Sequence, residues 1–370
     1  MHMSIRPISL DAPNFNELEA AYLKKATEEG FVSTFGPFTQ EFEQKIAGFT
    51  GAEAACSAQS GTASLHLSLY SLGIGRGDEV LVPAVTFAAT ANAIKHVDAT
   101  PVLVDVDSKT WNMSLDDLKQ KINTKSKAII PVHLYGNPAP IREIMEIAQQ
   151  AKLHVVEDAA ESLGSYVGST HTGLFGTFGC LSFNGNKVIT TGGGGMILGA
   201  QSNIEKVRIL ANQGRDPERS WFHQEVGFNY RMTNLEAALG LAQFQKLEHF
   251  LQKKKGIHLT YQKYFKDDER VSFQEELKDA KSAHWMTCLR FSERYSVLNI
   301  AKKLESAQIP TRRLFAPLSE FPPFQAHSNS LPNAYKLHDS VLCFPSSTLN
   351  ELSQIEYVCE VLKSILDSNQ

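Results

Sequence analysis

The stretch Ser182-Phe183-Asn184-Gly185-Asn186-Lys187 closes a short apolar run and stands just ahead of Thr190-Thr191 and four glycines, Gly192 to Gly195. Upstream, Val155-Val156-Glu157-Asp158 closes another apolar run on two carboxylates, and Asp158 lies 29 positions before Lys187. Outward from these two segments the chain alternates. Apolar runs at 54–58, 79–82, 100–104, 128–132, 154–156, 178–183 and 195–198 read as strands. The stretches 14–29, 63–72, 88–96, 115–122 and 141–151 carry helical periodicity between them, and Thr39 is placed to cap a further helix over 41–49. Strands apolar on both faces, each followed by a helix, predict an α/β unit with a mostly parallel mixed sheet covered by helices.

The pattern changes after this. Residues 234–257 read as one long helix continuing toward Phe265, followed by short strands at 283–291 and 341–344 and helices at 297–307 and 352–366. This predicts a large unit over 1–247, N-terminal segment included, and a smaller α+β unit over 248–370. A chain of 370 residues with 42% hydrophobic residues can build both cores. The net charge of -4, with no basic arm, argues against a nucleic-acid or anionic-membrane partner. No apolar run reaches the ~18 residues of a membrane helix. Met1-His2-Met3 reads as a frayed start with no signal peptide behind it, and a cytoplasmic location is expected. Five widely spaced cysteines, with no CxxC, are expected to be reduced and buried.

Ligands bind at the carboxyl ends of parallel strands, and four such ends carry chemistry here. Gln59-Ser60-Gly61-Thr62 opens a helix, where backbone N–H groups and hydroxyls suit a phosphate or simply cap the helix. Phe87, past the second strand, could lie flat on a planar ring or pack in the core. Glu157 and Asp158 need a cation or hydrogen bonds if buried. They carry no H-E-x-x-H or similar ligand set, so no metal is expected. Lys187 offers an amine ahead of flexible glycines. One ligand uses all four: pyridoxal phosphate (PLP), with Lys187 as its Schiff-base partner and a carboxylate on its pyridine nitrogen. A P-loop fails because Val188 follows the lysine, and Gly73-x-Gly75-x-Gly77 precedes a strand where a dinucleotide loop would follow one.

Taken together, these segments resemble the DegT-type sugar aminotransferases, which have the PLP-dependent transferase type I fold. The resemblance runs from Gly30 to Leu247 through Ser60-Gly61-Thr62, Thr86-Phe87, Pro131-Val132-His133-Leu134-Tyr135-Gly136, Glu157-Asp158-Ala159-Ala160, Lys187 and Gly227-Phe228-Asn229-Tyr230-Arg231-Met232, and more faintly beyond. It implies that Lys187 holds the cofactor and moves protons, that Asp158 pairs with the pyridine nitrogen, and that Phe87 stacks on the ring. Ser60, Gly61, Thr62 and Ser182 would bind the phosphate, and Asn229 would reach the site of the neighbouring subunit of a homodimer. Many relatives carry Gln where this chain has Glu161, and a glutamate where it has Gly193. Glu161, the Asn184-Gly185-Asn186-Lys187 run, the four glycines and the Thr311-Arg312 segment resemble a subgroup that aminates C4 of UDP-linked 4-keto-6-deoxy-N-acetylhexosamines. L-glutamate is the implied amino donor. Arg231 and Arg312 suit its carboxylate, or a substrate phosphate. His133 is a substrate-site candidate whose plainer role is a fixed hydrogen-bonding histidine at the cofactor, and the sequence assigns nothing to His327. A same-fold dehydratase would carry histidine in place of Lys187, and a non-catalytic scaffold would not need the set of Asp158, Ser182 and Lys187.

Overall fold

The computed structural model describes residues 7–219, 221–327 and 330–368, with the side chains of Ala326 and His327 outside that set; Met1-His2-Met3 also lies outside it. In chain order the large unit contains α1 (Glu17–Glu28), α2 (Pro37–Thr50), β1 (Ala54–Ala58), α3 (Gly61–Ser71), β2 (Glu79–Pro83), α4 (Ala88–His96), β3 (Thr100–Val104), α5 (Leu115–Lys121) and β4 (Ser126–Ile129). It continues with α6 (Ile141–Ala151), β5 (His154–Asp158), β6 (Tyr166–Val167), β7 (Thr170–His171), β8 (Phe178–Ser182), β9 (Gly195–Gly199), α7 (Gln201–Ala211) and α8 (Asn234–Phe244). Then follow α9 (Leu247–Phe265), β10 (Val271–Phe273), β11 (Ala280–Lys281), β12 (Thr287–Phe291), α10 (Val297–Ser306), β13 (Arg312–Arg313), α11 (Pro332–Ser340), β14 (Val341–Phe344) and α12 (Leu352–Asp367).

The main sheet runs β1-β9-β8-β5-β4-β2-β3. Neighbours from β8 to β3 are parallel, and β9 is antiparallel to both β1 and β8. Val80, Leu81 and Val82 are fully buried in succession, as a strand covered on both faces requires. A second sheet, β10-β12-β14-β13, is antiparallel throughout. Its core joins Leu289, Phe291 and Phe344 to Ile257 and Tyr261 of α9 and to Ile355 and Leu362 of α12. The two units interlock: β11 pairs with β6, and the segment before α1 lies along the C-terminal unit. There Ser9 and Asn350 exchange hydrogen bonds of 2.8 and 2.7 Å, and Ile8 packs against the second core.

Three local readings are corrected. The predicted long helix is two helices, α8 and α9, with a step at Gln245 and Lys246. No glycine or proline breaks it; the step falls where Gln243 and Lys246 turn to Glu19 and the Asn14 carbonyl at the start of α1. Thr39 does not cap α2, which starts two residues earlier at Pro37. Its cap comes from across the fold, where Asn234 Oδ1 accepts from Phe38 N–H at 2.9 Å. The predicted strand 283–291 begins only at Thr287, because the residues ahead of it cross to the large unit, with Ala283 N–H donating to Ser165 Oγ. The sequence reading did not anticipate α7 or α11. All five cysteines are buried and unbonded to one another. No helix among the described residues is long and apolar enough to cross a membrane.

Candidate active site

Because β9 reverses direction between β1 and β8, the carboxyl ends of β1, β2, β5 and β8 meet at one edge of the sheet. A cavity of about 310 Å³ opens there, lined by Ser60, Gly61, Thr62, Phe87, Asp158, Glu161, Ser182 and Lys187, with Trp285, Arg312 and Phe315 from the C-terminal unit.

At one end α3 presents its N-terminus. Ser60 Oγ accepts from Ala63 N–H at 3.0 Å, so that hydroxyl caps the helix. The Gly61 and Thr62 N–H groups have no intrahelical acceptor and face an anion-ready position beside the Thr62 and Ser182 hydroxyls. A Cβ on Gly61 would lie 2.9 Å from Ser182 Cβ, so glycine is what lets β8 end this close to α3. Past Ser182 the chain loops out and returns through Gly192 and Gly194, both at positive φ, which glycine adopts at no steric cost. Lys187 sits on this loop. Its Nζ lies 3.7 Å from Glu161 Oε1 and 4.2 Å from the centre of the Trp285 ring.

Of the two carboxylates on β5, alternation along the strand sends one each way. Asp158 faces the cavity, its Oδ2 accepting from Thr90 Oγ1 at 2.7 Å and its Oδ1 from Ala160 N–H at 3.1 Å. Glu157 faces inward and is fully buried. It accepts from the N–H groups of Gly173, Phe175 and Gly176 at 2.7–2.8 Å and from His133 Nε2 at 3.0 Å. His133 Nδ1 accepts from Ala139 N–H at 3.0 Å, which leaves the ring proton on Nε2. His133 is therefore a fixed hydrogen-bonding residue behind the site; with both nitrogens engaged and no exposure, it does not reach the cavity.

The set fits PLP: an amine on a glycine-bearing loop, a buried carboxylate in the same cavity, an anion cradle at a helix start, and Phe87, 60% exposed, at the mouth. A match to the DegT/DnrJ/EryC1/StrS aminotransferase family model covers residues 13–363. The chain belongs to the DegT/DnrJ/EryC1/StrS aminotransferase family. It is 36% identical over 349 residues to GDP-perosamine synthase of Escherichia coli O157:H7, covering 94% of this chain and 95% of that protein. It is 38% identical over 321 residues to GDP-perosamine synthase of Caulobacter vibrioides, with 86% of each covered. Among solved structures, Spr1654 of Streptococcus pneumoniae in its PLP form superposes with a TM-score of 0.93 at 26% identity, covering 98% of this chain and all of that one. DesI with its TDP-sugar product gives a TM-score of 0.89 at 26% identity, over 97% and 93%. This DegT-family protein is thus a PLP-dependent sugar aminotransferase of the aminotransferase α/β fold.

In the aminotransferase, burial pushes the Asp158 carboxyl up from its ordinary range, against the pull of its hydrogen bonds with Thr90 and Ala160 and of Lys187 and His133. Glu161 is pushed up by burial as well, with Lys187 and the Tyr135 N–H opposing. The two buried carboxyls share this cavity with Lys187 and Arg312, and a further cation placed against Asp158 would favour its charged form. Arg312 is raised by its acidic and thiol surroundings, against burial. Its Nε and Nη2 are buried without a protein partner, while Nη1 lies 3.4 Å from Asp11 Oδ2.

Three predicted residues are not brought to this cavity by the chain itself: His133, which stands behind it, Arg231 and Asn229. Arg231 lines a separate cavity of about 790 Å³ with Phe35, Glu43 and Arg208, and Asn229 is exposed outside the lining of the first. Trp285, Thr90 and Phe315 were missed. A rare tryptophan could have been flagged, but it reaches Asn186 from 99 positions away, with no local pattern to place it.

Proposed function

We propose that this aminotransferase moves the amino group of L-glutamate to C4 of a nucleotide-linked 4-keto-6-deoxy sugar, giving an amino sugar nucleotide and 2-oxoglutarate. The observation that carries this reading is the convergence of Lys187, Asp158 and the α3 N-terminus on one cavity whose far wall leaves Arg312 donors unpaired. PLP, when bound, supplies the covalent hold on the amino group and the electron sink. Lys187 Nζ would take the proton from the donor's Cα and hold it for redelivery, and in the second half-reaction it would deliver a proton to the sugar carbon. General-base work of this kind is worth roughly 100- to 10,000-fold. The Trp285 ring and Glu161 keep that amine within reach between transfers. Asp158, in its ionised form, would pair with a protonated pyridine nitrogen, and little water is there to screen the pair. Arg312 offers a planar pair of donors to a carboxylate of glutamate.

In this reading residues 1–247 hold the cofactor, while 248–370 supply the substrate-side Trp285, Arg312 and Phe315. The protein acts as a homodimer in the cytoplasm, with Asn229 crossing into the partner's site. The exposed Phe35, Trp221 and Val226 support a subunit contact on that side of the chain. The resemblance of the Lys187 and Arg312 segments favours a UDP-linked N-acetylated substrate. A second reading, a GDP-linked sugar, is favoured by the names of the two relatives matched over most of their length.

An absorption spectrum of the PLP-loaded protein tests the first half-reaction, followed by mass and NMR analysis of products from UDP- and GDP-linked 4-keto-6-deoxy sugars. A Schiff-base band that shifts with L-glutamate and is missing in Lys187→Ala is expected. No response to glutamate would reject the donor, and an amine placed at C3 would reject the position. Arg312→Ala is expected to raise the KM for glutamate; unchanged kinetics with both substrates would remove Arg312 from the site.

A further inference from the structure

At the junction of the two units, three side chains from separate segments converge. His258 lies on α9, Glu276 follows β10, and His284 precedes β12; one donor atom from each lies within 4.8 Å of the others. The two imidazoles are stacked, with centroids 4.1 Å apart and planes 13° from parallel. His284 Nε2 is 3.8 Å from Glu276 Oε1. His258 Nδ1 faces Thr287 Oγ1 at 3.3 Å, the kind of outer hydrogen bond that orients a ligating imidazole and leaves Nε2 free to bind.

We infer that His258, Glu276 and His284 form a binding site for a borderline divalent cation of the zinc class, separate from the PLP site. Two imidazoles and one carboxylate are donors that such ions take, whereas magnesium and calcium prefer all-oxygen sets. Tetrahedral bonds of ~2.0–2.1 Å place donors about 3.3 Å apart with the ion in the plane of each ring, so binding draws the donors together and turns the two imidazoles out of their stacked arrangement. Glu276 is the adjustable member, its side chain 34% exposed and open to solvent. Lys255, one turn before His258, sets a cost against the cation, because its charge acts on both Glu276 and His284.

The site has a route to the catalytic lysine. His284 is held at φ 48°, and the next residue is Trp285. Trp285 Nε1 donates to Asn186 O at 2.7 Å, and its ring lies under Lys187 Nζ. A bound cation pins the segment that places this ring and thereby makes His284 a positioning residue for Lys187.

The test is a titration of EDTA-treated, PLP-loaded protein with Co²⁺ and then Zn²⁺, by calorimetry and by the visible bands of bound cobalt. One Co²⁺ per chain, displaced by Zn²⁺, is expected. Its affinity should fall at least about tenfold in Glu276→Gln. That substitution sits at an exposed position, and unchanged melting of the metal-free variant shows that it has folded. Glu276→His, which restores a ligand, should recover binding. Trp285 emission, taken as the difference between wild type and Trp285→Phe, should change on metal addition in wild type but not in Glu276→Gln. Absence of stoichiometric Co²⁺ binding, or equal affinity in wild type and Glu276→Gln, would overturn the site. These readouts do not depend on which sugar the enzyme aminates.

Discussion

Asp158 and Glu157 are adjacent and chemically alike, yet one faces the cavity and the other is locked in the scaffold, because strand alternation turns them to opposite sides. Asp158→Asn should keep the fold, since a neutral amide relieves a buried charge, while kcat drops by on the order of 100- to 1000-fold; steady-state kinetics and thermal melting report both. The pH dependence follows from the raised Asp158 carboxyl. A carboxyl that binds its proton more tightly when folded contributes stability that is present at low pH and lost as pH rises through the raised value. The cofactor-free protein should therefore lose melting temperature as pH climbs out of the ordinary carboxylate range. PLP, by supplying a cation, should remove much of that loss, and Asp158→Asn should remove the Asp158 share in the free protein. A melting profile of wild type and variant against pH, with and without PLP, checks the sign. Gly61→Ala places a methyl 2.9 Å from Ser182 Cβ. It should weaken PLP binding, read as a higher Kd in a spectroscopic titration, because the start of α3 must back away from β8.

At the scale of elements, the β5 end is held by Glu157, whose carboxylate ties the 173–176 loop and His133 to the strand. Glu157→Gln replaces one oxygen with a donor that faces N–H groups. Stability should fall by about 2–4 kcal/mol, since buried donors lose their acceptor; urea denaturation measures it. Helix existence was legible along most of the chain: α6 falls on its predicted span, and α8 begins at the predicted residue, Asn234. The boundaries that failed were set from a distance. α2 takes its cap from Asn234, and α8 breaks from α9 where side chains turn to α1. Local propensity carries no information about a partner 196 residues away.

For the whole molecule, the exposed Asn229 and the separate placement of Arg231 make sense if a second subunit completes the site. Lys187→Ala and Asn229→Ala proteins, each impaired alone, should recover part of their activity when mixed and reassembled, because one hybrid site then holds both native residues. An assay of the mixture against each variant alone decides this, with light scattering to confirm the dimer; no recovery would place Asn229 outside the partner's site.

The residue order by itself determined the alternating α/β architecture, the strand ends that carry function, and the lysine, acid and glycine helix start that together suit PLP. Each of these is local: burial on both faces shows in a run of five residues, and a helix start or an amine on a glycine loop shows in six. Only the tertiary structure decided that Asp158 faces the cavity while Glu157 is locked in the scaffold, that His133 stands behind the cavity, and that Trp285 reaches it from the other unit. It also brought His258, Glu276 and His284 together. Those outcomes depend on how β9 reverses within the sheet and how the C-terminal unit docks on it, and contacts between residues a hundred positions apart leave no periodic trace in a single sequence.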